Sequence, residues 1–443
     1  MKADIRIAWV LARGSERREW WRASLTLIGA LLATGSALAA VTVAAVSGQV
    51  SLPYAHGLLD RPGERAGVVF TLVLLLVPVL GFLGQCARIG AVHRYRRMAG
   101  LRLAGASPGQ VRRIAAAESA FTCLAGSSAG LALFLGLFAL TGHTPRPVAW
   151  AGLVAVVVAV PVAAALVSAL ALRHVVAAPL EYARRTVPSA GRRAALGFLI
   201  AATSIALSAL LLLFPVGRRV TPPVLLVLAL VLLTGAGAIW VAGASAAFIG
   251  RTLTRRARRP AVLIAASRLA HDPWAAARTH AALLLVTVVA VGFVGVRAVL
   301  LDTLTDSARP MSLAFYTTGI DLAGSAVLVA LAISTCALAV GTAESLATRR
   351  RGLAAQAAAG VPHRVLAEAV LLETALPLAP ALLLAGLGGT VVYVGYAMIV
   401  VTASVPLLPL LVPVAVLVLC LLAAATSLPL LRRAVNPAEL RFT

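Results

Sequence analysis

WAGLVAVVVAVPVAAALVSALAL, residues 150–172, contains no ionisable side chain. As a helix rising 1.5 Å per residue, a stretch of this length crosses the roughly 30 Å hydrocarbon core of a bilayer. Working outward from it, windows of the same kind recur near 23–47, 67–88, 116–141, 195–215, 223–248, 280–300, 322–343, 369–397 and 406–430. Ten spans in 443 residues leave little chain for anything else, and the composition agrees: 61% of residues are hydrophobic and 12% charged. A water-soluble domain carries about 25% charge and about 45–50% apolar residues. The expected fold is therefore all-α, a polytopic membrane protein with about ten transmembrane helices. Pro377 and Pro380 predict a kink or break in the ninth span, and Pro409, Pro413 and Pro429 interrupt the tenth.

The net charge of +24 would suggest nucleic acid in a soluble protein. In a membrane protein basic residues gather in cytoplasmic loops for topological reasons. Placing the N-terminus in the cytoplasm puts 32 of the 39 Lys and Arg residues inside and leaves Arg61, Arg65, Arg146, Arg218, Arg219, Arg297 and Arg309 outside. Both termini are then cytoplasmic in a multi-pass protein of the bacterial cell membrane, with no nucleic-acid partner. Ala37 to Ala40 could pass for a signal-peptide cleavage site, but the charged lead is long and the apolar stretch exceeds the usual 7–15 residues, so the first span is expected to remain. Trp20, Trp21, Trp150 and Trp274 lie near span ends and suit interfacial anchoring.

The chemistry that is missing narrows the function. The only lysine is Lys2, so no G-x-x-x-x-G-K-[ST] phosphate loop exists and the chain does not hydrolyse ATP by that route. Cys86, Cys123, Cys336 and Cys420 have no metal-ligand spacing and read as small buried apolar residues; no metal or cofactor site is expected. None of the 15 acids falls near a span centre, where ion coupling would need one, which disfavours a secondary transporter.

Laid on itself at an offset of 255, the chain aligns Arg94-x-Arg96 with Arg349-x-Arg351, Ala104-Gly105 with Ala359-Gly360, and Glu118-Ser119-Ala120 with Glu373-Thr374-Ala375. A looser match pairs the lead Leu11-Ala12-Arg13, Trp20, Arg22 with Leu269-Ala270-His271, Trp274, Arg278. The expected organisation is two parallel four-helix repeats, 1–193 and 251–443, joined by a two-helix linker, 194–250. Corresponding helices are an even number of spans apart, so the copies share one orientation, with a pseudo-two-fold axis along the membrane normal.

Each copy has a basic cytoplasmic segment, 91–118 and 346–373, in which arginines precede a short Gly/Pro turn and a helix entering the next span. In the first, Ser107 is placed to cap a helix opening at Pro108. The run Leu101-Arg102-Leu103-Ala104-Gly105-Ala106-Ser107-Pro108-Gly109-Gln110-Val111-Arg112-Arg113, followed by Glu118, resembles the L-R-x-x-G-A-[ST]-x-x-Q-[VI]-x-R…E signature of FtsX/MacB-type ABC-transporter permeases. The second segment keeps Gly360, Pro362, His363, Arg364 and Glu373, but Val365, Ala367 and Glu368 stand where the first has Gln110, Arg112 and Arg113. The four, two, four arrangement is closest to the ten-helix BceB-like branch. The large extracellular domain of that branch is missing, since the loop 301–321 is short.

The resemblance implies a permease subunit relaying the motion of a separate cytoplasmic ABC ATPase, two copies of it, with ATP and Mg on that partner and none on this chain. The cargo would be an amphiphile such as an antimicrobial peptide, antibiotic or lipid. The alternative is a mechanotransmitting regulator of an extracytoplasmic enzyme or sensor kinase, without transport. Arg102, Arg112, Arg113, Arg349, Arg350, Arg351 and Arg364 serve either ATPase docking or topology and lipid-phosphate anchoring. Glu118 and Glu373 either pair with an arginine of a neighbouring helix or partner, or complement a helix N-terminus. Gly126-x-x-x-Gly130 offers a close-packing seam, where the two halves could meet.

Overall fold

A computed structural model describes residues 6, 9–10, 17–50, 59–60, 62–88, 100–140, 147–177, 203, 206–207, 210, 223–306, 313–400 and 406–434. The described residues are helical and form two compact units, Met1–Thr186 and Val187–Thr443. The first contains α1 (Arg17–Ala44), α2 (Pro62–Arg88), α3 (Pro108–Leu140) and α4 (Pro147–Ala177). The second contains α5 (Pro223–Arg256), α6 (Pro260–His271), α7 (Pro273–Asp306), α8 (Leu313–Thr348), α9 (Arg350–Ala358), α10 (His363–Val400), α11 (Val412–Ala425) and α12 (Leu428–Ala434), with a 3₁₀ turn at Leu408–Leu411. Eight of these helical stretches are long and apolar enough to cross a membrane. The protein is an all-α polytopic membrane protein. The expected fifth span, 195–215, lies outside the described residues apart from single positions.

Proline sets many of the helix starts. Six of the first seven helices open on it; its fixed φ suits the first helical position and its missing N–H is one the helix could not have bonded. Inside a span the same residue is tolerated where packing holds the helix together, and α10 continues through Pro377 and Pro380 without a break. The tenth span is segmented, as its three prolines predict: the 3₁₀ turn at Leu408–Leu411, then α11, then α12 after Thr426 and Ser427.

In the first unit α1 is the common partner of α2, α3 and α4. Small residues let the backbones meet. A Cβ at Gly126 would stand 2.5 Å from the Leu27 carbonyl oxygen, and one at Gly130 would stand 3.2 Å from that of Leu31. Beside them the Thr34 hydroxyl donates to Ser127 at 3.1 Å, joining α1 to α3 in the buried interior. The Gly126/Gly130 stripe thus closes on α1 within its own unit, which corrects the expectation of a seam between halves. Between α1 and α2 the buried Arg65 guanidinium donates to the carbonyls of Leu59 and Gly48, with Gly48 at φ +75° turning the chain.

In the second unit α7 is the most buried span, and α5, α8 and α10 all pack against it. The sixth expected span, α5, packs along both α7 and α10. Glycines make this close approach feasible: Gly243 faces the Trp274 ring and Gly250 the backbone of Ala270. Trp274 accordingly stacks edge-on with Trp240 of α5, their centroids 6.2 Å apart, instead of serving the interface alone.

Because the α1–α3 contact leaves no room for a side chain, Gly126→Leu is expected to destabilise the first unit by about 1–3 kcal/mol. A lowered midpoint of detergent-solubilised unfolding is the readout, and Gly136→Leu, at a position with open space around it, serves as the neutral control.

Candidate functional site

The arginine-rich segments outside the spans fold into two turns of the same construction. In the first, a helix ending at Leu103 is closed by Gly105 at φ +92°. The Gly105 N–H donates to the Arg102 carbonyl at 3.0 Å and the Ala106 N–H to that of Leu101 at 2.9 Å. This is a Schellman cap, in which a left-handed residue satisfies the orphan carbonyls of a helix end. In the second, α9 is closed by Gly360 at φ +89°, with the Gly360 N–H on the Ala357 carbonyl at 2.9 Å and the Val361 N–H on that of Gln356 at 3.1 Å. A side chain at either glycine would meet open space but also the left-handed penalty of about 1–2 kcal/mol.

After each cap the chain re-enters a long helix. In the first turn Ser107 and Gln110 form a reciprocal capping box: the Gln110 N–H donates to Ser107 Oγ at 3.2 Å, and the Ser107 N–H donates to Gln110 Oε1 at 2.8 Å. The cap expected of Ser107 at the opening of α3 is present, and Gln110 of the signature run closes the box. The second turn has Pro362 at the position of Ser107 and Val365 at that of Gln110, so it cannot form the box. Pro362 has no N–H in need of a partner, and its carbonyl accepts from Val365 at 3.0 Å.

Beneath the turns lie matching apolar seats. Ala106 and Leu101 pack on Val111, Ile114 and Ala115; Val361 and Ala357 pack on Leu366, Val370, Leu353, Leu346 and Leu431. Lead segments close the seats from one side. Trp9 meets Phe121 of α3 edge-on at 5.4 Å, and Ile264 of α6 packs on the second cluster.

The arginines divide by role. Arg102 is folded back, donating from Nη1 to the Ala106 carbonyl at 3.1 Å and so bracing the turn from within. Arg349 donates to the Ser345 carbonyl at 2.9 Å and to Glu373 Oε2 at 2.9 Å. Arg350 is half-buried, while Arg112, Arg113, Arg351, His363 and Arg364 are exposed, as are Gly105, Ser107, Gly360 and Pro362. Pro108 sits at the first position of α3.

Glu373 is the hub of the second segment. Its carboxylate takes Arg268 of α6 at 3.2 Å through one oxygen and Arg349 through the other, tying lead helix, α8 end and α10 together. Burial pulls the Arg268 guanidinium below the usual arginine value; the Glu373 charge opposes that and Arg349 adds to it. Glu118 occupies the same place on α3 and is buried. Sequence reading overlooked Arg268 as a site residue, although a signal was present. The offset of 255 that relates Glu118 to Glu373 also relates Arg94 to Arg349, and the lead that the looser match aligns with 11–22 begins beside Arg268. Arg13 and Arg94 lie outside the described residues.

Residues 68–180 match the family model for the FtsX-like permease C-terminal domain. Over that stretch the chain is similar to the FtsX-like permeases. The matched stretch contains the first turn and all of α3; the second turn lies beyond it. No curated protein and no solved structure matches the chain. The FtsX-like permeases are membrane components of ABC-type systems, usually served by a cytoplasmic ATPase.

Two consequences of these turns can be measured. Glu373→Gln keeps the shape but removes the charge shared by two arginines, a loss of about 1 kcal/mol. Amide exchange across α6, residues 260–271, should then rise roughly fivefold. Gly105→Ala and Gly360→Ala should each accelerate exchange at the amide that follows, Ala106 or Val361, by about fivefold or more, corresponding to about 1–2 kcal/mol.

Proposed function

We propose that this FtsX-like permease is the transmembrane subunit of an ATP-driven ABC transporter, built from two four-helix repeats and a two-helix linker in the manner of the BceB-like branch. A separate ATPase docks on the two turns and supplies the energy. The observation that carries this reading is the pair of exposed turns closed by the same left-handed glycine cap and each continuous with a long membrane-spanning helix. A push on either turn is delivered to α3 or α10 as a rigid rod, because the apolar seat and the internal bonds of Arg102 or Glu373 stop the turn from yielding locally.

The positive-inside distribution supports a cytoplasmic location for both turns. Loops on the opposite side are short, and the one between α1 and α2 is tied down by Arg65. Little mass is therefore present outside to capture a soluble ligand, which favours an amphiphilic cargo reached from the bilayer: a membrane-active peptide, a hydrophobic antibiotic or a lipid.

Purification of the tagged wild-type chain should bring down an ATPase with a phosphate-binding loop, and Arg112→Glu/Arg113→Glu should reduce the recovered ATPase at least about tenfold. Absence of any ATPase under ATP, ADP and nucleotide-free conditions rejects the reading. Reconstituted ATPase activity that rises with a lipid or peptide supports transport. A complex indifferent to every amphiphile, but altering a partner kinase or hydrolase, would instead establish the regulatory alternative.

A further inference from the structure

The two turns share a backbone but not a surface, and from the difference we infer that the partner is held by a single apolar anchor, Leu103, which only the first turn possesses. The inference rests on the proposal that the turns dock an ATPase, and it identifies which turn dominates and what its socket must contain.

Leu103 is the last helical residue before the first cap and is 91% exposed, more than any other large apolar side chain among the described residues. Most other exposed apolar side chains lie on spans, where lipid covers them; Leu103 stands on a turn outside every candidate span. The cap geometry explains why it cannot fold inward. Leu101, two residues earlier, turns onto the Val111 and Ile114 seat, which leaves Leu103 pointing away from it. The position two residues before the second glycine is Ala358, which projects almost nothing.

Charge repeats the asymmetry. Arg112 and Arg113 are exposed on the opening turns of α3, whereas the corresponding residues of α10 are Ala367 and the exposed acid Glu368. The surface of the first turn is a leucine knob followed by two cations; its complement is an apolar pocket with an acidic rim. The second turn offers Pro362, His363, Arg364 and Glu368, a surface of mixed charge with no knob. Binding hot spots are rigid side chains that enter a desolvated pocket, with charge at the rim adding orientation and rate. Rigidity is already present in the first turn through the capping box, the glycine cap and the Arg102 bond to Ala106. Little ordering is left to oppose docking. A motor of two identical subunits would thus be gripped tightly on one side and loosely on the other.

The experiment uses the full-length permease in nanodiscs and the phosphate-loop ATPase that copurifies with the wild-type chain, titrated with ATP present. Leu103→Ala is expected to weaken binding at least about tenfold and Leu103→Glu further, while Ala358→Glu weakens it less than about threefold. The double change Leu103→Ala/Ala358→Leu should recover part of the loss by moving the anchor. Unchanged amide exchange across α3 shows that each variant is folded, since Leu103 contributes nothing to the seat. Binding by Leu103→Ala within twofold of wild type overturns the inference, as does an Ala358→Glu loss equal to that of Leu103→Glu. A leucine seated in lipid would give the first of these results. If the wild-type chain itself recruits no ATPase, the docking proposal fails and this inference falls with it.

Discussion

Lipid offers a backbone N–H or C=O nothing to bond to, so every polar group of a spanning segment must find its partner within its own helix. That constraint explains the long helices of this chain and the placement of its irregularities. The left-handed glycines occur between candidate spans, and the capping box and basic clusters at span ends, where water and side chains can take over. Inside the spans, with no difference in hydrophobicity between a neighbouring helix and a lipid tail, association depends on close packing of small residues. Gly126 against Leu27 and Gly389 against Val288 and Val291 are contacts through which this chain achieves it.

A membrane helix bundle built this way is stiff along its rods and open to input only at their ends. The turns at Gly105 and Gly360 are such ends. Each is held by a cap that satisfies the carbonyls of one helix and by an apolar seat shared with the next. In the second unit Glu373 ties the lead helix to α10 through Arg268. A carboxylate shared by two partly exposed guanidinium groups is a modest restraint, but it joins segments far apart in the chain.

The two turns share a backbone but differ in side chains. The first carries Ser107 with Gln110, Arg112 with Arg113, and the exposed Leu103. The second has replaced the capping pair by Pro362 and Val365 and is braced from behind through Glu373. One turn is stiffened on its outer side and the other on its inner side. The family match covers the first and stops before the second.

Much of this was legible from residues alone. Uncharged windows such as 150–172 exceed the bilayer thickness and admit only helices, and the offset of 255 placed both turns, both glycines and both glutamates in register. Ser107 before Pro108 announced a cap. Pairings between distant segments were not legible, because an Ala- and Leu-rich helix presents similar faces all round and its sequence does not say which neighbour covers which face. For that reason Gly126 and Gly130 were open to reading as a seam between halves, and only packing shows them closed on α1. For the same reason Arg268 looked like one more cytoplasmic cation until α6 was seen lying beside α10 with its guanidinium on Glu373. The sequence by itself determined the spans and the two capped turns, since chain length against lipid thickness and the glycine requirement of positive φ are local constraints. Tertiary structure alone decided which arginine faces inward, which leucine faces outward and which glycine meets which helix, because those depend on the rotation of each rod about its axis.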